Sequence, residues 1–310
     1  MDIVIPISIG DANTIKENKK KFIDNLGADK IVVIGNQEVK KVLYNEKGVE
    51  FIDEDCVYDG LSYSNLKSII QRINPAAGRR TGWYLQQFLK MGYARMCKDN
   101  TYLVWDSDTI PLKKFSFVNE KGQYLYNLKS DIYETYFRTM DKLIPQMIKR
   151  NPEGSYIAEH MLFDKSIMLE LIRTIESNSD LKGDKFFEKI MYAIRSDEIP
   201  LSGFSEFETY GTFVYNYYRE QYAYRPIKAM RHGRIYFGIN PSDDELNWAS
   251  KSYDTISFEH FDHEWKWLSF ATRIIRNKDK ISMFDWCQKT RWMLIANDRF
   301  RRTVKEILNR

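Results

Sequence analysis

The sequence has few cysteines and no long apolar segment, and each absence excludes a class of protein. Its three cysteines among 310 residues, Cys56, Cys97 and Cys287, are far apart and form no CxxC pair. This spacing excludes a disulfide framework and a cysteine zinc site, and it predicts a reducing, cytoplasmic location. No basic leader precedes the first apolar stretch and no apolar run reaches spanning length, so we expect neither a secretory signal nor a membrane span.

The net charge of +4 is small and unevenly distributed. The segment Lys289–Arg310 holds seven basic and two acidic residues, a net charge of +5, which leaves the rest of the chain at −1. A nearly neutral main body lacks the broad basic face of a nucleic-acid-binding protein. The 43% hydrophobic and 29% charged residues indicate a globular chain, in which we expect no nucleic-acid partner.

The first half of the chain alternates strands with helices. Continuous apolar runs rich in β-branched residues predict strands at 3–7, 30–35, 49–53 and 101–105. Helices are predicted between them at 11–26, 37–44, 61–73 and 83–96. This alternation predicts an α/β fold with a mainly parallel sheet flanked by helices.

The second half has a more mixed pattern. Short strands are predicted at 124–126, 156–158 and 235–237, and helices at 133–148, 165–175 and 207–220. In the helix from Trp83, the spacing of its apolar residues places Gln86, Gln87 and Lys90 on or near the face opposite the core.

Two aspartates, Asp106 and Asp108, follow the fourth strand directly. Ligands of α/β sheets bind at the carboxyl ends of the strands, and in extended backbone residues i and i+2 point the same way. The pair is therefore predicted to bind one cation, and carboxylate oxygens suit Mg²⁺ or Mn²⁺. A D-x-D alone is also compatible with an acidic turn that only closes a loop.

Five stretches together form a recognisable pattern: 3–6 (IVIP), 80–90 (RTGWYLQQFLK), 103–109 (LVWDSDT), 158–163 (AEHMLF) and 203–211 (GFSEFETYG). They resemble bacterial GT-A glycosyltransferases of surface-polysaccharide biosynthesis, in particular a poorly characterised family of transferases. The D-x-D and SEFETYG stretches are the most specific, and the similarity spans roughly 1–263. It implies a GT-A-like catalytic domain over 1–265, with a donor half to about 115 and an acceptor half from 116, followed by a helical basic extension over 266–310.

The resemblance implies a metal-dependent transfer from a nucleotide sugar, with a UDP-sugar favoured, to a glycan or lipid-linked glycan. The cation would offset the diphosphate charge of the leaving group. The residues predicted to bind the nucleotide sugar are Pro6, Ser8, Asp53, Arg79, Arg80, Gln86, Trp105 and Ser107. The two arginines are equally compatible with a solvated loop.

On the acceptor side, His160 is a candidate contact, although a buried hydrogen-bonded histidine fits the sequence equally well. Glu206 and Glu208 open a predicted helix, where carboxylates serve either as caps or as a general base for the acceptor hydroxyl. Residues two apart at a helix start point about 200° from each other, so only one can face the acceptor, and we favour Glu206. His260 and His263 are candidates for a distal metal ligand.

Other functions remain open. A sugar nucleotidyltransferase shares this kind of sheet but needs a glycine-rich loop after the first strand, where only Gly10 is found, and a dehydrogenase would need GxGxxG. A non-catalytic carbohydrate-binding or scaffold protein would tend to lose the aspartates that are present here. In the tail, helical spacing of Met293, Ala296, Phe300, Val304 and Ile307 beside basic residues predicts either a helix on anionic lipid at the inner face of the plasma membrane or one packed on the main domain.

Overall fold

The computed structural model describes residues 1–28, 30–146, 149–259, 262–277 and 281–308, with the side chains of 277 and 297–308 outside the description. The strands are β1 (Asp2–Pro6), β2 (Ile31–Gly35), β3 (Val49–Asp53), β4 (Thr101–Trp105), β5 (Thr109–Pro111), β6 (Tyr124–Tyr126), β7 (His160–Asp164), β8 (Tyr222–Tyr224), β9 (Ala229–Met230) and β10 (Thr255–Ser257). The helices are α1 (Ala12–Leu26), α2 (Gln37–Val42), α3 (Tyr63–Ile73), α4 (Thr81–Gly92), α5 (Glu134–Leu143), α6 (Lys165–Ser177), α7 (Phe186–Ala193), α8 (Glu206–Tyr217), α9 (Gly233–Phe237), α10 (Asp243–Ser250), α11 (Lys266–Asn277) and α12 (Met283–Leu308).

The central sheet has the strand order β3-β2-β1-β4-β7. The first four strands in this order run parallel, and β7 pairs antiparallel with β4, with Trp105 opposite His160. Strands β1, β2 and β4 are buried almost throughout, because helices cover both faces of a parallel sheet. The predicted α/β fold with a mainly parallel sheet is confirmed.

Polar side chains fix the starts of the helices that surround this sheet. Asn36, Ser62, Asp164 and Ser205 each accept hydrogen bonds from backbone N–H groups in the first turn of the following helix. These bonds satisfy donors that have no partner inside the helix. They set where α2, α3, α6 and α8 begin, and the Ser205 cap places Glu206 as the first residue of α8.

The chain forms two compact units. The first comprises Met1–Ser107 and Lys114–Pro226 and contains the central sheet together with the parallel pair β6-β8. The second comprises Asp108–Lys113 and Ile227–Arg310 and contains a three-stranded sheet in the order β5-β10-β9. This division differs from the predicted boundary at residue 265, because β5 pairs antiparallel with β10, far along the chain.

Two of the predicted short strands are wrong. Residues 156–158 are irregular, since the backbone N–H of Tyr156 bonds the Glu208 carboxylate instead of a neighbouring strand. Residues 235–237 belong to α9, whose Ile235, Tyr236 and Phe237 are buried. An apolar run of three residues is too short for its periodicity to separate a strand from a helix.

Candidate functional site

The D-x-D motif lies where the chain leaves β4. The backbone N–H of Asp106 donates to the carbonyl of Glu159 at 2.9 Å, which continues the pairing of β4 with β7. Ser107 and Asp108 then form a turn into β5. The expectation that this segment stays extended is therefore wrong, because Ser107 and Asp108 lie in a turn. The boundary between the two units falls between Ser107 and Asp108, so Asp106 belongs to the first unit and Asp108 to the second.

A buried lysine connects Asp106 to the start of α8. Lys90 Nζ donates to Asp106 Oδ1 and to Glu206 Oε1, both at 2.7 Å. The side chains of Lys90 and Glu206 are each 4% exposed, whereas that of Asp106 is 27% exposed. This Lys90–Asp106–Glu206 cluster therefore faces the surface only at Asp106.

The surroundings of Lys90 hold it in this position. The backbone N–H of Glu206 donates to Gln87 Oε1 at 3.2 Å, and Lys90 Nζ lies 4.5 Å from the centre of the Phe207 ring. The prediction that Gln87 and Lys90 lie away from the core is wrong, since both are buried. Apolar residues recur on more than one side of α4, and this pattern is typical of a helix that is buried on most sides.

The charges within the cluster perturb one another. Burial by itself would lower the pKa of Lys90, but Asp106 and Glu206 raise it above its usual value, so the lysine stays charged. Burial raises the pKa of Asp106, and the nearby Lys90 opposes that rise. The net result is a raised pKa for Asp106, because burial together with the nearby Glu206 and Glu159 outweighs the attraction of Lys90.

Glu208 lies in a different environment from Glu206. It is 1% exposed, and its carboxylate accepts hydrogen bonds from Ser155 Oγ, from the Tyr156 backbone N–H at 3.0 Å and from Thr212 Oγ1 at 3.4 Å. Burial raises its pKa, and these three donors oppose the rise. The structure therefore brings only Glu206, the favoured member of the pair, to the D-x-D segment.

His160 begins β7 and is buried beside Trp105. The two rings stack with centroids 4.3 Å apart, and Asn127 Nδ2 and Arg225 Nη2 lie 3.1 and 3.3 Å from His160 Nε2. Burial, with Arg225 and Lys129 adding to it, holds the pKa of His160 well below its usual value. His160 is thus a neutral, packed histidine, and Arg225 is a neighbour that no sequence pattern pointed to.

Four of the predicted nucleotide-sugar residues lie at or near the carboxyl ends of strands. Gln86 Nε2 donates to the carbonyl of Pro6, the last residue of β1, at 3.1 Å. Ser8 Oγ donates to Asp11 Oδ2 at 3.0 Å. Asp53 ends β3, caps the following turn through the Asp55 N–H and accepts a hydrogen bond from the Gln37 side chain.

The remaining members of that set differ in exposure. Arg79 is exposed, and Arg80 is half-buried with its guanidinium 3.9 Å from the centre of the Trp83 ring. Trp105 and Ser107 are buried. Arg80 is thus held by an aromatic face, while Arg79 projects into solvent.

Asp108 and His263 both belong to the second unit. The Asp108 carbonyl accepts a hydrogen bond from the Phe258 N–H at 2.7 Å, and Thr109 Oγ1 lies 3.2 Å from Asp108 Oδ1. His263 is exposed, and His260 lies outside the described residues. Within the described part of the chain, no three His, Cys, Asp or Glu side chains are grouped as a metal site.

A cavity of about 440 Å³ lies at the opposite edge of the central sheet. It is lined at the amino ends of the strands by charged and apolar side chains, among them Asp2, Lys30, Glu50, Tyr93 and Asp99. None of the predicted site residues lines it. Pro6, Asp53 and Asp106 lie instead at the carboxyl edge, where parallel sheets bind ligands.

The fold and the Lys90 cluster define an α/β protein with a buried charged network at the carboxyl edge of a parallel sheet. The chain belongs to DUF6492, a family of unknown function, whose sequence profile matches residues 15–286. No curated protein matches it in sequence.

Among solved structures, the chain is similar to the galactosyltransferase LgtC in complex with donor and acceptor sugar analogues, at 10% identity, a TM-score of 0.42 and coverage of 93% of this chain and 100% of that one. It is also similar to mouse xyloside xylosyltransferase 1, at 11% identity, a TM-score of 0.43 and coverage of 84% and 98%. A third, the bifunctional glycosyltransferase WbbM, is 14% identical, with a TM-score of 0.40 and coverage of 85% and 46%. At TM-scores below 0.5, these likenesses do not by themselves assign an activity to this chain.

Proposed function

We propose that this chain is a metal-dependent GT-A-type glycosyltransferase that moves a sugar from a nucleotide sugar, with a UDP-sugar favoured, to a glycan or lipid-linked glycan. The observation that carries the proposal is the contact of Asp106 and Glu206 through Lys90. These two residues come from the D-x-D and SEFETYG stretches, which are 100 residues apart and carry the most specific part of the sequence resemblance. A shared site explains why both patterns occur in one chain.

The proposed cation is Mn²⁺ or Mg²⁺, with Asp106 and Asp108 as protein ligands. Lys90 bonds Oδ1 of Asp106, so Oδ2 is the oxygen that we propose for the cation. Such ions are usually bound by only a few protein carboxylates, and phosphate oxygens of the substrate complete the coordination. Bound there, the cation would offset charge on the departing diphosphate. We retain His260 and His263 as proposed distal ligands.

Residues of the chain orient Asp106 and exclude water around the proposed cation position. Lys90 fixes the rotamer of Asp106 and neutralises part of the negative charge, and the buried Phe207 and Gln87 exclude water from the far side. Gln86, bonded to the end of β1, and Arg80, held on Trp83, are proposed to face the nucleotide and its diphosphate. Pro6, Ser8, Asp53, Arg79, Trp105 and Ser107 stay in the proposed nucleotide-sugar set, and His160 stays the proposed acceptor contact.

A nucleotide-release screen tests this function directly. The full chain is incubated with UDP-, GDP- and CMP-sugars, with and without Mn²⁺, and the free nucleotide is measured. We expect release from one class of donor that EDTA abolishes and that Asp106→Asn and Asp108→Asn lose. Equal release in EDTA would contradict metal dependence. Binding of sugar without release would favour a carbohydrate-binding protein, and formation of a nucleotide sugar from a sugar phosphate and a nucleoside triphosphate would favour a nucleotidyltransferase.

The role of Glu206 is tested by a separate experiment. As the catalytic base of an inverting reaction, Glu206→Gln would lower kcat by about 10²–10⁴-fold with an unchanged Mn²⁺ requirement. If Glu206 only positions Lys90 and Asp106, the Glu206→Gln substitution would instead raise the Mn²⁺ concentration needed for half-maximal activity. Glu208→Gln is measured beside it, because Glu208 is the alternative base and is bonded to Ser155 and Tyr156 instead of Lys90. Loss of kcat in Glu208→Gln alone would assign the base role to Glu208. Parental kcat and parental Mn²⁺ dependence in Glu206→Gln would exclude both roles.

A bacterial surface polysaccharide is the proposed product, and the cytoplasm, at the inner face of the plasma membrane, is the proposed location. A lipid-linked acceptor lies in that membrane, so the transferase would have to work at its surface. The described part of the chain contains no helix with the length and apolarity needed to span a bilayer.

A further inference from the structure

The last two helices carry an unusual number of exposed large apolar side chains. On α11 these are Trp267, Phe270 and Ile274, which recur at positions i, i+3 and i+7 of the helix. On α12 they are Phe284, Trp292 and Ile295. Phe270 and Trp292 are each 65% exposed, although an aromatic side chain of this size is normally covered. We call these six side chains the aromatic surface.

The opposite sides of both helices explain why these residues point outwards. Leu268 and Thr272 of α11 and Met283 and Thr290 of α12 are buried, and Trp286 Nε1 donates to Thr272 Oγ1 at 2.9 Å. Each helix packs through that side, and the outer side chains stay 41–65% exposed, although Trp267 lies near the Trp265 ring and Phe284 near the Tyr253 ring. The aromatic surface is thus the outer face of two helices that are anchored by their inner faces.

The charge of the sequence segment that contains both helices indicates what would cover this surface. The segment 266–310 holds twelve basic and four acidic residues, a net charge of +8, whereas residues 1–265 carry −4. Lys266, Lys289 and Arg291 are exposed beside the apolar side chains, and Arg273 pairs with Glu245. Exposed tryptophans flanked by basic residues are typical of proteins that lie in the interface of an anionic membrane.

We propose that the aromatic surface of α11 and α12 docks this chain on a membrane of anionic lipids. The aromatic and aliphatic side chains enter the boundary between headgroups and acyl chains, and the basic residues contact the lipid phosphates. None of these six side chains belongs to the apolar set that the helical spacing of the tail indicated, which includes Met293 and Ala296. It does not rest on the transferase activity, since vesicle binding and nucleotide release are measured separately and either one can fail alone.

Co-sedimentation of the full chain with vesicles tests the proposal. We expect binding to vesicles of phosphatidylcholine mixed with phosphatidylglycerol, weak binding to pure phosphatidylcholine, and loss of binding in high salt. The double variants Trp267→Ser/Phe270→Ser and Trp292→Ser/Ile295→Ser should each bind at least tenfold more weakly. The control Tyr44→Ser/Leu201→Ser removes side chains that are 72% and 63% exposed on the first unit, and it should bind as the parent does.

A second measurement detects insertion without weakening the apolar surface. Tryptophan fluorescence of the bound parent should be quenched by brominated lipid, and Trp267→Phe/Trp292→Phe should bind but lose most of the quenching. Urea denaturation of each variant should match the parent, because exposed side chains are replaced. Failure of the parent to bind anionic vesicles, equal binding by all variants, or a parent dimer that the double variants convert to monomers would overturn the proposal, the last result identifying a second copy as the partner.

Discussion

Replacing Lys90 by methionine should destabilise the first unit strongly. The change keeps the side-chain length but removes the cation that lies 2.7 Å from both Asp106 Oδ1 and Glu206 Oε1. With Lys90 and Glu206 each only 4% exposed, Glu206 would be left as a buried carboxylate with no opposite charge. Removing one partner of a buried ion pair costs about 3–5 kcal/mol, and we expect Lys90→Met to lower the free energy of unfolding by that amount.

The exposed pair of Lys30 and Glu50 provides a matched control, because those side chains are 47% and 48% exposed. Lys30→Met should cost at most about 1 kcal/mol, since exposed ion pairs are screened by water. Both variants are measured by urea denaturation at pH 7, with the parent as reference.

A double-mutant comparison identifies the cause. In the background Asp106→Asn/Glu206→Gln, Lys90→Met should cost less than in the parent by about 0.5–3 kcal/mol, the coupling typical of residues in contact. Equal costs of Lys90→Met and Lys30→Met in the parent would refute the reasoning. So would an unchanged cost of Lys90→Met in the neutralised background, because the loss would then come from packing alone.

Further predictions concern pH and packing. Burial holds the pKa of His160 low, so below about pH 6.5 the unfolded chain binds a proton at this histidine and the folded chain does not. The free energy of unfolding should therefore fall as pH drops through that range. His160→Phe, compared with the parent by urea denaturation at pH 7 and pH 5, should reduce this fall. A parental slope in that variant would assign the fall to other groups. A Cβ at Gly211 would lie 2.2 Å from the buried Tyr156 ring, so Gly211→Ala should cost about 1–3 kcal/mol, whereas Gly82→Ala, with open space around it, should be neutral or stabilising. Equal unfolding midpoints for the two glycine variants would contradict this difference.

The sequence alone determined the α/β fold and the location of the D-x-D. Strands β1, β2 and β4 are five-residue runs rich in apolar, mainly β-branched residues, and such runs between helical segments are typical of buried parallel strands. Because ligands of such sheets bind where strands end, the place of Asp106 followed from the end of the fourth run. These are local properties, set by side-chain type and spacing within one element.

Only the tertiary structure decided the partners of Asp106. Lys90 and Glu206 are 116 residues apart, and nothing in the period of α4 shows that α8 packs over the lysine. The same holds for His160, whose neighbours Trp105 and Arg225 come from distant segments. The spacing of apolar residues along a helix or strand shows which side of that element is apolar. The charged group that lies next to a buried polar side chain depends on which other element packs over it, and the packing of the whole chain sets that choice.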